Sequence, residues 1–209
     1  MLHALCCEPQ PVSFLRLPLS SPRQDINLHV RWAGEKAVYK LLFRQTAGTY
    51  LDPVSKWKSV NSDKPDGPNY SILETLDDSY KGKDGKFTFK LVWPLRSGDN
   101  HNIWKQSTNP VTETTKKVAG YKAIDVKFTA NKWGGLESGY LHGGSPSALL
   151  DGSVNDGMWW YAVGSKVAHG GGIPGGAEVE KKVELYVLSS QAGNVLVPLR
   201  RRRLLSPTN

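Results

Sequence analysis

Cysteine is nearly missing from this sequence, which holds two in 209 residues, Cys6 and Cys7. Adjacent cysteines rarely bridge each other, because the bond would strain the peptide between them. The chain is therefore expected to fold on its hydrophobic core alone, which leaves the redox compartment open. Long apolar runs are missing too. No stretch reaches the ~18 consecutive apolar residues of a spanning helix, so no membrane-spanning segment is expected. Met1 to Cys7, broken by Glu8-Pro9-Gln10-Pro11, carries only fragments of a signal peptide. The five histidines (His3, His29, His101, His142, His169) include no pair at i, i+4 and no cysteine partner at ligand spacing, so no metal site and no cofactor are expected. No Gly-x-Ser-x-Gly elbow occurs. Gly170-Gly171-Gly172 is followed by neither Lys-Ser/Thr nor a helix, which sets aside a Walker loop and a dinucleotide fingerprint.

Charge of one sign is plentiful only at the C-terminus. The formal net charge is +8, and Arg200 to Arg203 supply four of it; residues 1–25 are balanced, which leaves four for residues 26–199. Lysines within that segment are scattered, as at Lys36, Lys56, Lys90, Lys122 and Lys166, whereas a nucleic-acid groove needs them on one face. No nucleic-acid partner is expected.

What is there in quantity is glycine and tryptophan, 21 and seven residues. Many turns and ring-filled packing favour an all-β fold over long helices. Val38 to Arg44, ending at Gln45-Thr46-Ala47-Gly48, reads as a buried strand and turn. Tyr50 to Asn69 is rich in Pro, Asp and Asn and reads as a loop around a short strand at Trp57 to Val60. Its Asn61, Asp63, Asp66 and Asn69 match no EF-hand spacing, so a calcium reading is unsupported beside turn formation. Ser71 with Glu74 three residues on, and Ile72, Leu73 and Leu76 at helical spacing, predicts one short helix.

After the turn Lys83-Asp84-Gly85-Lys86, the residues Phe87, Phe89, Leu91 and Trp93 alternate with Thr88, Lys90 and Val92. This is the clearest half-buried strand in the chain, with its ring face toward the core. Asn102 to Gln106 is a further short strand. Val118 to Phe128 alternates again, with Ile124, Val126 and Phe128 on one face. Val179 to Leu188 closes the fold with Val183, Leu185 and Val187 on one side. Residues 170–176 form a glycine loop. The expected organisation is a disordered leader over 1–26, a single domain over 27–189, and a disordered basic tail over 190–209. The domain is expected to be an antiparallel β-sandwich, jelly-roll-like, with one short helix and long glycine-rich loops.

The chemistry concentrates between Trp133 and Gly164, where three tryptophans lie among glycines and turn acids. Trp133, Asp151, Asn155, Asp156, Trp159 and Tyr161 form the candidate ligand-binding set. Aromatic faces serve as platforms for sugar C–H surfaces, and short Asp or Asn side chains from loops bond the hydroxyl groups beside them. Strand alternation over Met158 to Val163 puts Trp159 and Tyr161 on one face and Met158 and Trp160 on the other. Glu137, Asp151 and Asp156 are close enough in sequence for a paired-carboxylate hydrolase, though Asp151-Gly152 and Asn155-Asp156-Gly157 read first as turns.

Trp159-Trp160-Tyr161 after a glycine- and Asp-containing turn resembles the double-tryptophan segment of fibrinogen C-terminal-type domains, and the glycine loop after it is similar to the binding region of those domains and of intelectin-type lectins. The chain lacks that family's cysteine pairs and acidic calcium loop. As a whole, Tyr39 to Val187 resembles a cysteine-free extracellular β domain of unassigned function. The resemblance implies recognition of a glycan or glycoprotein outside the cell. A structural or matrix module that binds other proteins is the alternative, and a glycoside hydrolase the third reading.

Overall fold

The computed structural model describes residues 37–115, 117–139, 147–156, 159–168, 174–175 and 180–191, all within one compact unit, Gly34–Asn209. The leader expected over 1–26, nearly all of the tail expected over 190–209, both cysteines and most of the glycine loop lie outside the described residues.

Among the described residues nine strands form two antiparallel sheets. In chain order they are β1 (Ala37–Thr46), β2 (Tyr70–Ser71), β3 (Phe87–Val92), β4 (His101–Gln106), β5 (Lys122–Val126), β6 (Trp133–Ser138), β7 (Ala148–Ser153), β8 (Val163–Ser165) and β9 (Lys182–Gln191). The larger sheet runs β2-β1-β9-β3-β4-β5 and the smaller β6-β7-β8. β9 thus sits in the middle of the larger sheet, between β1 and β3, which closes the fold with contacts of long sequence separation.

The predicted alternation places side chains as period-two geometry requires. Phe87, Phe89, Leu91 and Trp93 are all buried, and so are Val183, Leu185 and Val187. Both sheets contribute to one hydrophobic core, in which Trp104 of β4 meets Trp133 of β6 edge to face, with ring centroids 4.9 Å apart.

Two buried glutamines join the sheets. Gln45 of β1 accepts from the Ser165 N–H at 3.0 Å and donates to the Ser165 carbonyl at 3.1 Å. Gln106 of β4 treats Leu136 of β6 in the same way, at 2.9 Å for each bond. Each amide satisfies main-chain groups that would otherwise be buried unpaired. Gly135 permits the second contact. Its φ is +101°, and a Cβ there would stand 2.7 Å from the Gln106 Oε1 and 3.2 Å from the Trp104 indole nitrogen.

The helix expected near Ser71 is a three-residue 3-10 turn, Leu73–Thr75, and 3-10 turns are the sole helical structure among the described residues. Ser71 itself belongs to β2 and pairs with Phe43, which removes the N-terminal turn that an α-helix would need. Two further local expectations change. Trp57 lies in a 3-10 turn, Val54–Lys58, with its ring buried, while Val60 makes an isolated bridge to Ser71. Ile124 points outward at 52% exposure, unlike Val126 and Phe128, which pack on the core. A register shift opposite Ile103 and Trp104 makes Ile124 the extra residue, and an inserted residue re-aims its side chain. No helix among the described residues is long and apolar enough to cross a membrane.

Candidate functional site: a carboxyl-anchored loop cluster

The smaller sheet ends in a knot of turns. Five described non-glycine residues have positive φ, and four belong here: Asn131, Lys132, Asn155 and Tyr161. Left-handed backbone costs an L-residue about 1–2 kcal/mol, and such strain persists only where the surroundings over-determine it. Hydrogen bonds do that here. The Ser153 hydroxyl donates to the Asn131 carbonyl at 2.9 Å, and the Tyr161 hydroxyl to the Ala130 carbonyl at 2.6 Å. The Lys132 ammonium meets the Asp156 carboxylate at 3.0 Å.

Beneath the knot lie two buried acids. Glu137 of β6 and Asp151 of β7 are cross-strand partners, at 1% and 0% exposure. A Glu137 oxygen accepts the Asn155 N–H at 3.0 Å, and an Asp151 oxygen accepts the Ser153 N–H at 3.0 Å. Burial pushes the Asp151 carboxyl up to about 8, and the Glu137 charge adds to this. Bonds from the Ser153, Trp160 and Gly152 N–H groups act against it without overcoming it. Asp151 therefore keeps its proton further up the pH scale than an ordinary carboxyl does.

The six sequence-predicted residues separate accordingly. Trp133, at 9% exposure, lies edge-on to Tyr161 with centroids 4.9 Å apart and donates its indole N–H to the Tyr121 hydroxyl at 3.0 Å. Tyr161 is 1% exposed and Asp151 fully enclosed. These three support the site from below and offer no open face. Asn155 is exposed, Asp156 is partly exposed on the same turn, and Trp159 is half-buried. The strand alternation expected over Met158 to Val163 fails, because β8 begins only at Val163 and Tyr161 sits at φ +60°. A left-handed residue reverses the chain, so Tyr161 turns into the main core while Trp159 rests on Ala148 and Ala162. Trp160, set opposite Trp159 by the same alternation, is half-buried and packs on the main core. Met158 lies outside the described residues.

Sequence reasoning named Glu137 only as a hydrolase candidate and passed over its role as anchor. No local signal marks it, since its partner Asn155 is supplied by the β6–β7 pairing. Among the described residues no three His, Cys, Asp or Glu side chains gather as a metal site would require. Comparison with known proteins finds no matching family model, no curated protein of similar sequence and no solved structure of similar fold.

Proposed function

We propose that the two sheets form a jelly-roll-like β-sandwich and that the domain is a non-catalytic recognition module for carbohydrate or a glycosylated surface. Asn155, Asp156 and Trp159 are its contact residues; Trp133, Asp151 and Tyr161 hold the site rigid. The observation that carries this reading is the anchoring of the Ser153 and Asn155 N–H groups by two buried carboxyls, with Asn155 itself exposed. A preformed polar turn, with the half-buried Trp159 indole three residues further along the chain, lowers the ordering cost of binding a flexible, hydroxyl-rich ligand. The resemblance of the Trp159-Trp160-Tyr161 segment to fibrinogen C-terminal-type and intelectin-type domains supports the same reading and an extracellular setting.

A hydrolase fits less well. Its acid and base must reach the scissile bond, yet Glu137 and Asp151 are enclosed and each gives an oxygen to a backbone amide.

Glycan titration paired with thermal melts tests the proposal. Trp159→Ala is expected to weaken glycan binding by about 1–3 kcal/mol, by analogy with bases stacked on aromatic rings, with little change in Tm. Trp160→Ala, which removes a ring from the main core, is expected to lower Tm. If neither variant changes retention on any glycan, the lectin-like reading fails and a protein-binding matrix module replaces it.

A further inference from the structure

The outer face of the larger sheet gathers lysines that the sequence scatters. Lys105 of β4 stands directly opposite Lys122 of β5 on one side and Thr88 of β3 on the other. Two residues before Thr88, and so on the same face by strand alternation, is Lys86. Its side chain reaches within 3.3 Å of where a Cβ on Gly120 would be, just ahead of β5. Two residues after Thr88 is Lys90, opposite Ile103 and Tyr186. Like charges placed directly opposite each other destabilise a sheet, and Lys105 with Lys122 is such a pair. Counter-charge does not cancel the group. Asp84 takes Lys105 at 2.7 Å, and Asp125 is held by Lys127 and His101. Lys86, Lys90 and Lys122 make no ion pair among the described residues.

Lysines on edge strands commonly serve to block edge-to-edge pairing. That accounts for Lys122 on β5, but not for Lys105 and Lys90, which sit on strands paired on both sides. We propose that this face binds an anionic polysaccharide, one bearing sulfate or carboxylate groups, through Lys86, Lys105 and Lys122, with Lys90 extending the contact toward Tyr39 and Tyr186. The ammonium groups are point charges without the fixed fork of arginine, which suits sulfates spaced along a chain. A nucleic acid fits the face less well, because single strands want open rings to stack bases on. The Tyr39 ring already has the Lys90 ammonium over it, 5.9 Å from its centroid, and the Tyr186 hydroxyl is bonded to Glu184. This site uses none of the loop-cluster residues and stands whether or not that cluster binds sugar.

The experiment measures binding of the full chain to dextran sulfate, with neutral dextran and an oligodeoxythymidylate of matched charge as comparisons. Dextran sulfate is expected to bind with an affinity that falls as salt rises, neutral dextran not to bind, and the oligonucleotide to bind more weakly. Reversing Lys86→Glu, Lys105→Glu and Lys122→Glu together should reduce dextran sulfate affinity on the order of tenfold or more, from the summed worth of exposed charge pairs. The milder set Lys86→Gln, Lys105→Gln and Lys122→Gln, with Tm checked, should show a smaller loss in the same direction. Reversal at the exposed Lys56, Lys64 and Lys181 changes net charge equally and should have little effect. The proposal is overturned if both reversal sets lose affinity equally, if the oligonucleotide binds as tightly as dextran sulfate, or if dextran sulfate is not retained.

Discussion

Gln106 grips Leu136 by both of its main-chain groups, accepting the N–H and donating to the carbonyl at 2.9 Å each, while the same Oε1 accepts the Trp104 indole N–H at 2.8 Å. One fully buried amide thus serves five polar groups, since its Nε2 also donates to the Thr108 carbonyl at 3.0 Å and hydroxyl at 3.2 Å. Gln106→Leu keeps the burial and removes every partner at once. It is expected to lower stability by about 2–3 kcal/mol, the scale of leaving buried donors and acceptors unsatisfied, as read by urea denaturation. Gln45→Leu should behave alike through Ser165. An unchanged midpoint for both would mean that the inter-sheet bonds contribute nothing net.

The Asp151 carboxyl gives the fold a pH dependence with a definite sign. Its folded value, about 8, is above the ordinary 3.8, so between those values the folded state keeps a proton that the unfolded chain has released. Stability must then be greatest at the acid end of that window and fall as pH rises through it. A Tm series from pH 5 to 8.5 should decline, and Asp151→Asn, which mimics the protonated acid, should flatten the decline. A Tm that rises over this range in the parent protein and not in the variant would refute the assignment.

Gly152 is required by packing and not by backbone angle. A Cβ there would stand 2.6 and 2.8 Å from two carbons of the Trp133 ring and 2.9 Å from the Tyr161 Cβ, all parts of a fully packed cluster. Gly152→Ala should therefore cost about 1–3 kcal/mol, as overpacking of a filled core does, and should move the near-ultraviolet signal of these rings. A neutral effect would show that the Trp133 ring yields easily.

On β3, adjacent residues should differ sharply. Phe89 is fully buried, with its ring 5.4 Å from Phe87 and 5.5 Å from Trp104, so Phe89→Ala should cost ~3–5 kcal/mol. Lys90→Ala lies on the outer face and should fall within about 0.5 kcal/mol. Denaturant midpoints of the two variants measure this contrast, and similar values would contradict the face assignment.

Local pattern was a sound guide wherever one strand face is apolar. The spacing of Phe87, Phe89, Leu91 and Trp93, and of Val183, Leu185 and Val187, identified strands and their buried sides, because a period of two follows from backbone geometry alone. The same reasoning failed at Trp159 to Tyr161, where a single left-handed residue breaks the alternation, and at Ile124, where a bulge does. Both departures are set by pairing with distant segments.

By itself, then, the sequence determined that the chain is rich in antiparallel strands, that its core is aromatic, and that rings, glycines and turn acids crowd between Trp133 and Gly164. Only the tertiary structure decided which of those groups face outward. It buried Trp133, Tyr161 and Asp151 and left Asn155 exposed, because the register of β6 on β7 sets Glu137 against Asp151 and draws the loop amides onto them. Tertiary structure also brought Lys86, Lys105 and Lys122 to one face, since cross-strand neighbours are chosen by long-range pairing that no short window of sequence contains.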